Sequence, residues 1–201
     1  MYLINGTLSA SLPFRLHLPD GRTRTSLHEL DETQLAELGI YPCDEIKPPL
    51  EWTQHHGTPV VEVADGRATA TYPVLDYSPD EVAGILEAAK ECKRNEIAAA
   101  RWEAETAGID VNGFTVRTDR ESQALITGAA LQAIVDYDYE CRWKTSEGFV
   151  HLSAEQIKYI AQLVRAHVQS CFDREAELCG LIDKAESPDE LRRSRRMNWG
   201  G

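Results

Sequence analysis

Hydrophobic and polar positions follow one rhythm before Ser78 and another after it. Upstream, apolar residues alternate over short stretches, the two-residue period of half-buried strands. Phe14-Arg15-Leu16-His17-Leu18, a turn over Pro19-Asp20-Gly21 and then Arg22 to Thr25 predict a hairpin. Asp31 is placed to cap a short helix over 32–38 that Gly39 closes. Tyr41-Pro42-Cys43, Pro48-Pro49 and Gln54-His55-His56-Gly57 show no period, and this stretch is expected to be an extended connector or an arm laid along another surface. A second hairpin is expected where Pro59 to Val63 and Arg67 to Tyr72 flank Ala64-Asp65-Gly66, because Asp-Gly accepts the positive dihedrals of a tight turn.

Downstream the period becomes helical. Ser78-Pro79-Asp80-Glu81 is a capping box with proline at the first helical position, and the helix it opens should run to about Thr106, before Gly108. Such a helix is about 42 Å long at 1.5 Å per residue. Its stripe of Val82, Ile85, Leu86, Ala89, Cys92, Ile97, Ala100 and Ala104 suits a projecting linker, one strand of a homo-oligomeric bundle, or a helix folded back on its own domain. Asn112-Gly113 between Ile109-Asp110-Val111 and Phe114-Thr115-Val116 predicts another hairpin. Thr118-Asp119-Arg120-Glu121 then caps a largely apolar helix through Val135, expected at the centre of a core. A third hairpin is expected over 142–152, and Ser153-Ala154-Glu155-Gln156 opens a long amphipathic helix whose apolar side runs from Ile157 to Ile182. The fold class is therefore α+β, with a β-rich N-terminal arm, a long linking helix and a C-terminal hairpin-helix-hairpin-helix module. The expected parts are 1–77, 78–108 and 109–201, the last ending in a basic tail.

Charge narrows the choice of partner. The chain has 201 residues with 33 acidic and 21 basic side chains, a net of −12. Phosphate backbones and anionic membrane surfaces are poor partners for that balance, so neither nucleic acid nor membrane is expected. Five cysteines without a CxxC pair read as reduced thiols of a protein made in a cytoplasm, and the first residues carry no basic targeting region.

No phosphate-binding glycine loop, dinucleotide fingerprint or nucleophile elbow occurs. His167 and Cys171, four apart on a predicted helix, are read as a partly exposed histidine beside a buried cysteine rather than as metal ligands. His55-His56, in a proline-flanked connector, is read as a pair of exposed polar side chains rather than half a metal site. Asp136-Tyr137-Asp138-Tyr139-Glu140 lacks the glycine and further oxygens of a calcium loop and is read as a solvated helix end with tyrosines over the core. No catalytic, cofactor-binding or metal residue is nominated. The residues expected to contact partners are the tryptophans Trp52 and Trp102, the arginines Arg192, Arg193, Arg195 and Arg196, which oppose the overall charge, and Trp199 as an anchor.

The run Arg101, Gly108-Ile109-x-Val111-x-Gly113-Phe114-x-Val116-x-Thr118-Asp119-x-x-Ser122, Ile126-x-Gly128-Ala129, Trp143-Lys144-x-x-x-Gly148-Phe149-x-x-Leu152 and Ala185-x-Ser187-Pro188-x-Glu190-Leu191 resembles the DUF4376 domain, widespread in tailed bacteriophages. Leu30, Leu35 and Leu38-Gly39-Ile40-Tyr41-Pro42, with Tyr72-Pro73-Val74-x-Asp76-x-Ser78, are similar to a small module placed upstream of such domains. The resemblance implies a non-enzymatic virion protein of the baseplate or tail-fibre attachment, made in the host cytoplasm, with other tail or fibre proteins as partners. A tail-fibre assembly chaperone is the alternative, and a cell-wall-degrading enzyme a more distant one. The family supplies no catalytic residues.

Overall fold

The computed structural model describes residues 1–18, 21–145, 148–193 and 199, in two compact units, Met1–Val82 and Ala83–Gly201. It is an α+β protein, with short strands gathered in the first unit and helices dominating the second.

In the first unit β1 (Tyr2–Ile4) and β2 (Thr7–Ser9) form a hairpin over Asn5-Gly6, both at positive φ. A second hairpin pairs β3 (Arg15–His17) with β4 (Thr23–Thr25). After a 3-10 turn over Leu27–Glu29, Asp31 and Gln34 make a reciprocal capping box on α1 (Glu32–Glu37). β5 (Ile40–Ile46) follows, then β6 (Gln54–His56), β7 (Val60–Ala64), β8 (Arg67–Thr71) and β9 (Val74–Asp76). Five strands form a sheet in the order β2-β1-β5-β8-β7, while β6 pairs with β9.

The expected connector holds only around Pro48-Pro49: 40–46 is the central strand of the sheet, and Gln54–His56 is β6, paired with β9. Pro42 fits there because of where its missing amide would point. The Cys43 amide donates to the Met1 carbonyl at 2.9 Å, on the β1 side. Amides alternate sides along a strand, so position 42 faces the other way, and parallel pairing to β8 begins only at Cys43. One face of the sheet buries Leu3, Cys43, Ala68 and Ala70; Ile40, on the other, packs with Leu16, Leu27 and Leu35.

α2 (Pro79–Thr106) begins at the end of the first unit and continues into the second. β10 (Ile109–Val111) and β11 (Phe114–Val116) form the Asn112-Gly113 hairpin; α3 (Arg120–Val135), the β12 (Glu140–Thr145) and β13 (Gly148–Ser153) hairpin, α4 (Ala154–Asp183) and α5 (Pro188–Arg193) complete the chain. α4 is the spine of this unit. Its first half buries Ile157, Ile160, Val164 and Val168 against Val111, Val116, Ile126, Ala133 and Leu152. Its second half buries Leu178 and Ile182 against Ile97 of α2 and Leu191 of α5.

From Ala89 onward α2 is not a projecting rod, and its apolar stripe is covered at Ile97 and partly at Ala89, Ala100 and Ala104, while Cys92 is exposed. The helix runs antiparallel to α4: Lys90 Nζ donates to the Asp183 carbonyl at 2.9 Å, Arg94 to the Asp183 carboxylate at 2.8 Å and Arg101 to Glu175 at 3.1 Å. α3 departs from expectation in the opposite sense. Only Ile126 and Ala133 of it are buried, and one whole side of this apolar helix faces solvent.

Candidate functional site

α3 carries no charged side chain from residue 122 to 135, fourteen consecutive positions. A helix apolar on all sides is the composition of an interior. Yet Leu125 is 58% exposed, Leu131 61%, Ile134 59% and Val135 80%. Ala130, Leu131 and Ile134 form one wall of an open groove of about 780 Å³, and α4 forms the other with Ala161 and Ala166 flanked by Lys158 and Arg165. Among the described residues neither of these two cations forms an ion pair; Lys158 lies 5.6 Å from the centre of the Tyr137 ring. Seven residues of helix separate them, about 10.5 Å along the axis. The groove can therefore take apolar side chains between two cations, the chemistry of a protein contact.

At the start of α3 is a polar joint. Glu105 is 1% exposed at the last turn of α2 and receives Arg101, bonded to it one turn away. Gln123 Nε2 donates to its other oxygen at 3.2 Å, and Arg120 Nε lies 3.6 Å from it. Arg101 also reaches Glu175 and stacks over Phe172 at 4.7 Å. Thr118, fully buried, accepts from the Gly108 amide at 2.9 Å and donates to the Glu105 carbonyl. The N-cap of α3 is Asp119, whose carboxylate takes the Ser122 amide at 3.0 Å and the Ser122 hydroxyl at 2.9 Å. Those bonds hold its carboxyl below the usual aspartate range. The joint fixes the end of α2 relative to the start of α3, and so sets where the exposed face stands.

The residues expected to contact partners do not gather at the groove. Trp52, half-buried, belongs to the first unit. Trp102 is half-exposed, with the Arg120 guanidinium 5.3 Å and the Arg101 guanidinium 6.0 Å from its ring. Trp199 instead packs on the Ile97, Leu178 and Ile182 cluster. Arg192 and Arg193 are exposed on α5, where both reach the carboxylate of Asp189. Arg192, the nearer, is the main reason that carboxyl sits below its ordinary range. Arg195 and Arg196 lie outside the described residues.

The other candidates serve structure. His167 Nε2 donates to the Ala104 carbonyl at 3.0 Å, tying α4 to α2, and Cys171 Sγ lies 4.0 Å from the same nitrogen. Burial pushes the Cys171 thiol up. His55 and His56 are half-buried rather than surface residues. His56 Nε2 donates to the Pro48 carbonyl at 2.9 Å and His55 stacks on Tyr77 at 4.7 Å, which pins the proline segment to β6. At the end of α3, Tyr139 packs on the core, but Tyr137 is exposed. Among the described residues no three His, Cys, Asp or Glu side chains are placed to hold a metal, and no helix is long and apolar enough to cross a membrane. In the sequence alone the groove is hidden, because an apolar run of this kind reads as a core helix; its signal is the absence of any charged residue from 122 to 135.

Fold and site together define an α+β protein whose helical unit offers an apolar groove on its surface. The chain belongs to the DUF4376 family, a domain of unknown function, which matches residues 88–192. The match takes in α2 from the point where it meets α4, then every element through α5. No curated protein and no solved structure matches the chain.

Proposed function

We propose that this chain is a non-enzymatic structural component of a bacteriophage tail, at the baseplate or the fibre attachment, that works by protein–protein contact. The observation that carries the contact reading is the groove between α3 and α4. An uncharged helix with Leu131 and Ile134 standing in solvent is stable in an assembly that covers it and an aggregation hazard otherwise. The phage setting rests on the likeness of the residue pattern from Arg101 to Leu191 to a domain common in tailed phages. The same open groove suits a tail-fibre assembly chaperone, whose client would occupy it transiently.

Mass spectrometry of purified virions separates the two. A structural component appears at a stoichiometric copy number, and its absence from virions overturns the leading reading. For the chaperone, co-expression with the adjacent fibre gene should raise fibre solubility, and an unchanged yield counts against it.

A further inference from the structure

The outward face of the β12–β13 hairpin is positive in a chain whose net charge is −12. The inward face buries Leu152 and packs Cys141, Trp143 and Val150 on the core, which holds the hairpin in place. On the outward face the register sets Arg142 opposite His151 and Lys144 opposite Phe149. Opposite side chains on a strand pair are about 5 Å apart at Cβ, and those two apart along one strand about 6.6–6.8 Å. Two cations and a histidine therefore stand beside a phenylalanine that is 71% exposed. Arg142, Phe149, Val150 and His151 line an open depression of about 310 Å³. Among the described residues neither Arg142 nor Lys144 forms an ion pair. The one carboxylate on this face, Glu140, lies 3.8 Å from His151.

We propose that this face binds an acidic, extended segment of a protein partner, whose carboxylates pair with Arg142 and Lys144 while an apolar side chain lies over Phe149. Charge selects the occupant. Like charges held side by side on one sheet face repel in the free chain, and a ligand that brings carboxylates between them removes that cost. An extended segment presents every second side chain to one side, at the spacing that separates Arg142 from Lys144. A nucleic-acid strand is a poorer match. Its charge continues beyond the roughly 8 Å over which the hairpin's own field dominates, into the repulsion of a strongly acidic chain. A protein segment can confine its carboxylates to the hairpin. The site shares no lining residue with the α3–α4 groove. It rests on the reading of this chain as one that works by protein–protein contact, and not on the phage setting.

Fluorescence anisotropy with the full chain tests it, the probe being a fluorescein-labelled nonapeptide of alternating glutamate and serine with a central phenylalanine. The wild type should half-saturate below about 1 mM at about 0.15 M salt, and the same peptide with lysine in place of glutamate should not bind. Arg142→Ser combined with Lys144→Ser should raise the dissociation constant at least about 10-fold, and Phe149→Ser at least about 5-fold. All three side chains are exposed, so these variants should fold, which circular dichroism checks. Arg15→Ser combined with Arg24→Ser removes the same charge from the first unit and should bind as the wild type does. A wild type that does not saturate overturns the proposal, as does a hairpin variant that binds normally. Equal losses in the two double variants, or tighter binding of a labelled oligothymidylate of nine nucleotides than of the peptide, overturn it too. The virion measurement that decides the tail reading is independent of each of these results, so the two can fail separately.

Discussion

The hydroxyl of Thr118 donates to the backbone carbonyl of Glu105 across thirteen residues of chain, and it accepts from the Gly108 amide at 2.9 Å. One fully buried side chain thus satisfies an orphan carbonyl at the end of α2 and the amide of the glycine that leaves the helix. Gly108 has φ +92, and a Cβ there would meet the Val116 carbonyl at 3.1 Å, so the exit turn is held on both its polar and its steric side.

Thr118→Val keeps the shape and removes both bonds. It should destabilise the protein by about 2–3 kcal/mol, the cost of leaving two buried backbone groups unpaired, whereas Thr118→Ser should retain most of the stability. Urea unfolding monitored by circular dichroism gives both values.

Glu105 and Arg101 form a pair of which one partner is almost wholly buried. Glu105→Leu should cost about 3–5 kcal/mol, since it strands Arg101 with Glu175 alone and leaves Gln123 without an acceptor at that point. Arg101→Met should also be costly, through the carboxylate left behind and the lost stacking on Phe172. The double substitution should lose less than the sum of the two, as expected when a buried ion pair is replaced by apolar side chains. Additive losses in the same urea assay would mean that the pair does not act as a unit.

Acid should loosen the start of α3. Asp119 titrates below its ordinary range in the folded state because the Ser122 amide and hydroxyl donate to its ionised form, with Arg117 nearby. A depressed folded pKa gives stability that is fully present above the unfolded value of about 3.9 and is lost as pH falls through the folded one. Thermal midpoints should decline below about pH 4. Asp119→Asn, which still caps the helix but does not titrate there, should show a shallower decline. A pH profile identical to the wild type would remove Asp119 from that role.

Local signals were legible where they close on themselves within a few residues. Asp31 with Gln34, Ser153 with Gln156 and Asn112-Gly113 do in the structure what their spacing predicts, because each needs only its own turn of backbone. Asn5-Gly6, flanked by Tyr2-Leu3-Ile4 and Thr7-Leu8-Ser9, carries the same hairpin signal and turns β1 into β2. Pro42 misled, since a proline argues against a central strand unless the neighbour on its amide side starts one residue later, a fact about β8 and not about residue 42.

For this protein the sequence by itself determined the α+β class, the positions of the capped helices and the concentration of apolar residues on α3 and α4. Only the tertiary structure decided which of those residues are covered. Ile126 and Leu131 are five residues apart on the same helix with the same chemistry, yet one is buried under the hairpins and α4 and the other stands in water. Burial depends on which neighbour reaches a given side of a helix, and for Ile126 those neighbours come from ten or more residues away along the chain, in the hairpins and α4. The groove, the cations on its rim and the buried carboxylate that holds α2 to α3 all come from such distant pairings, which no local pattern encodes.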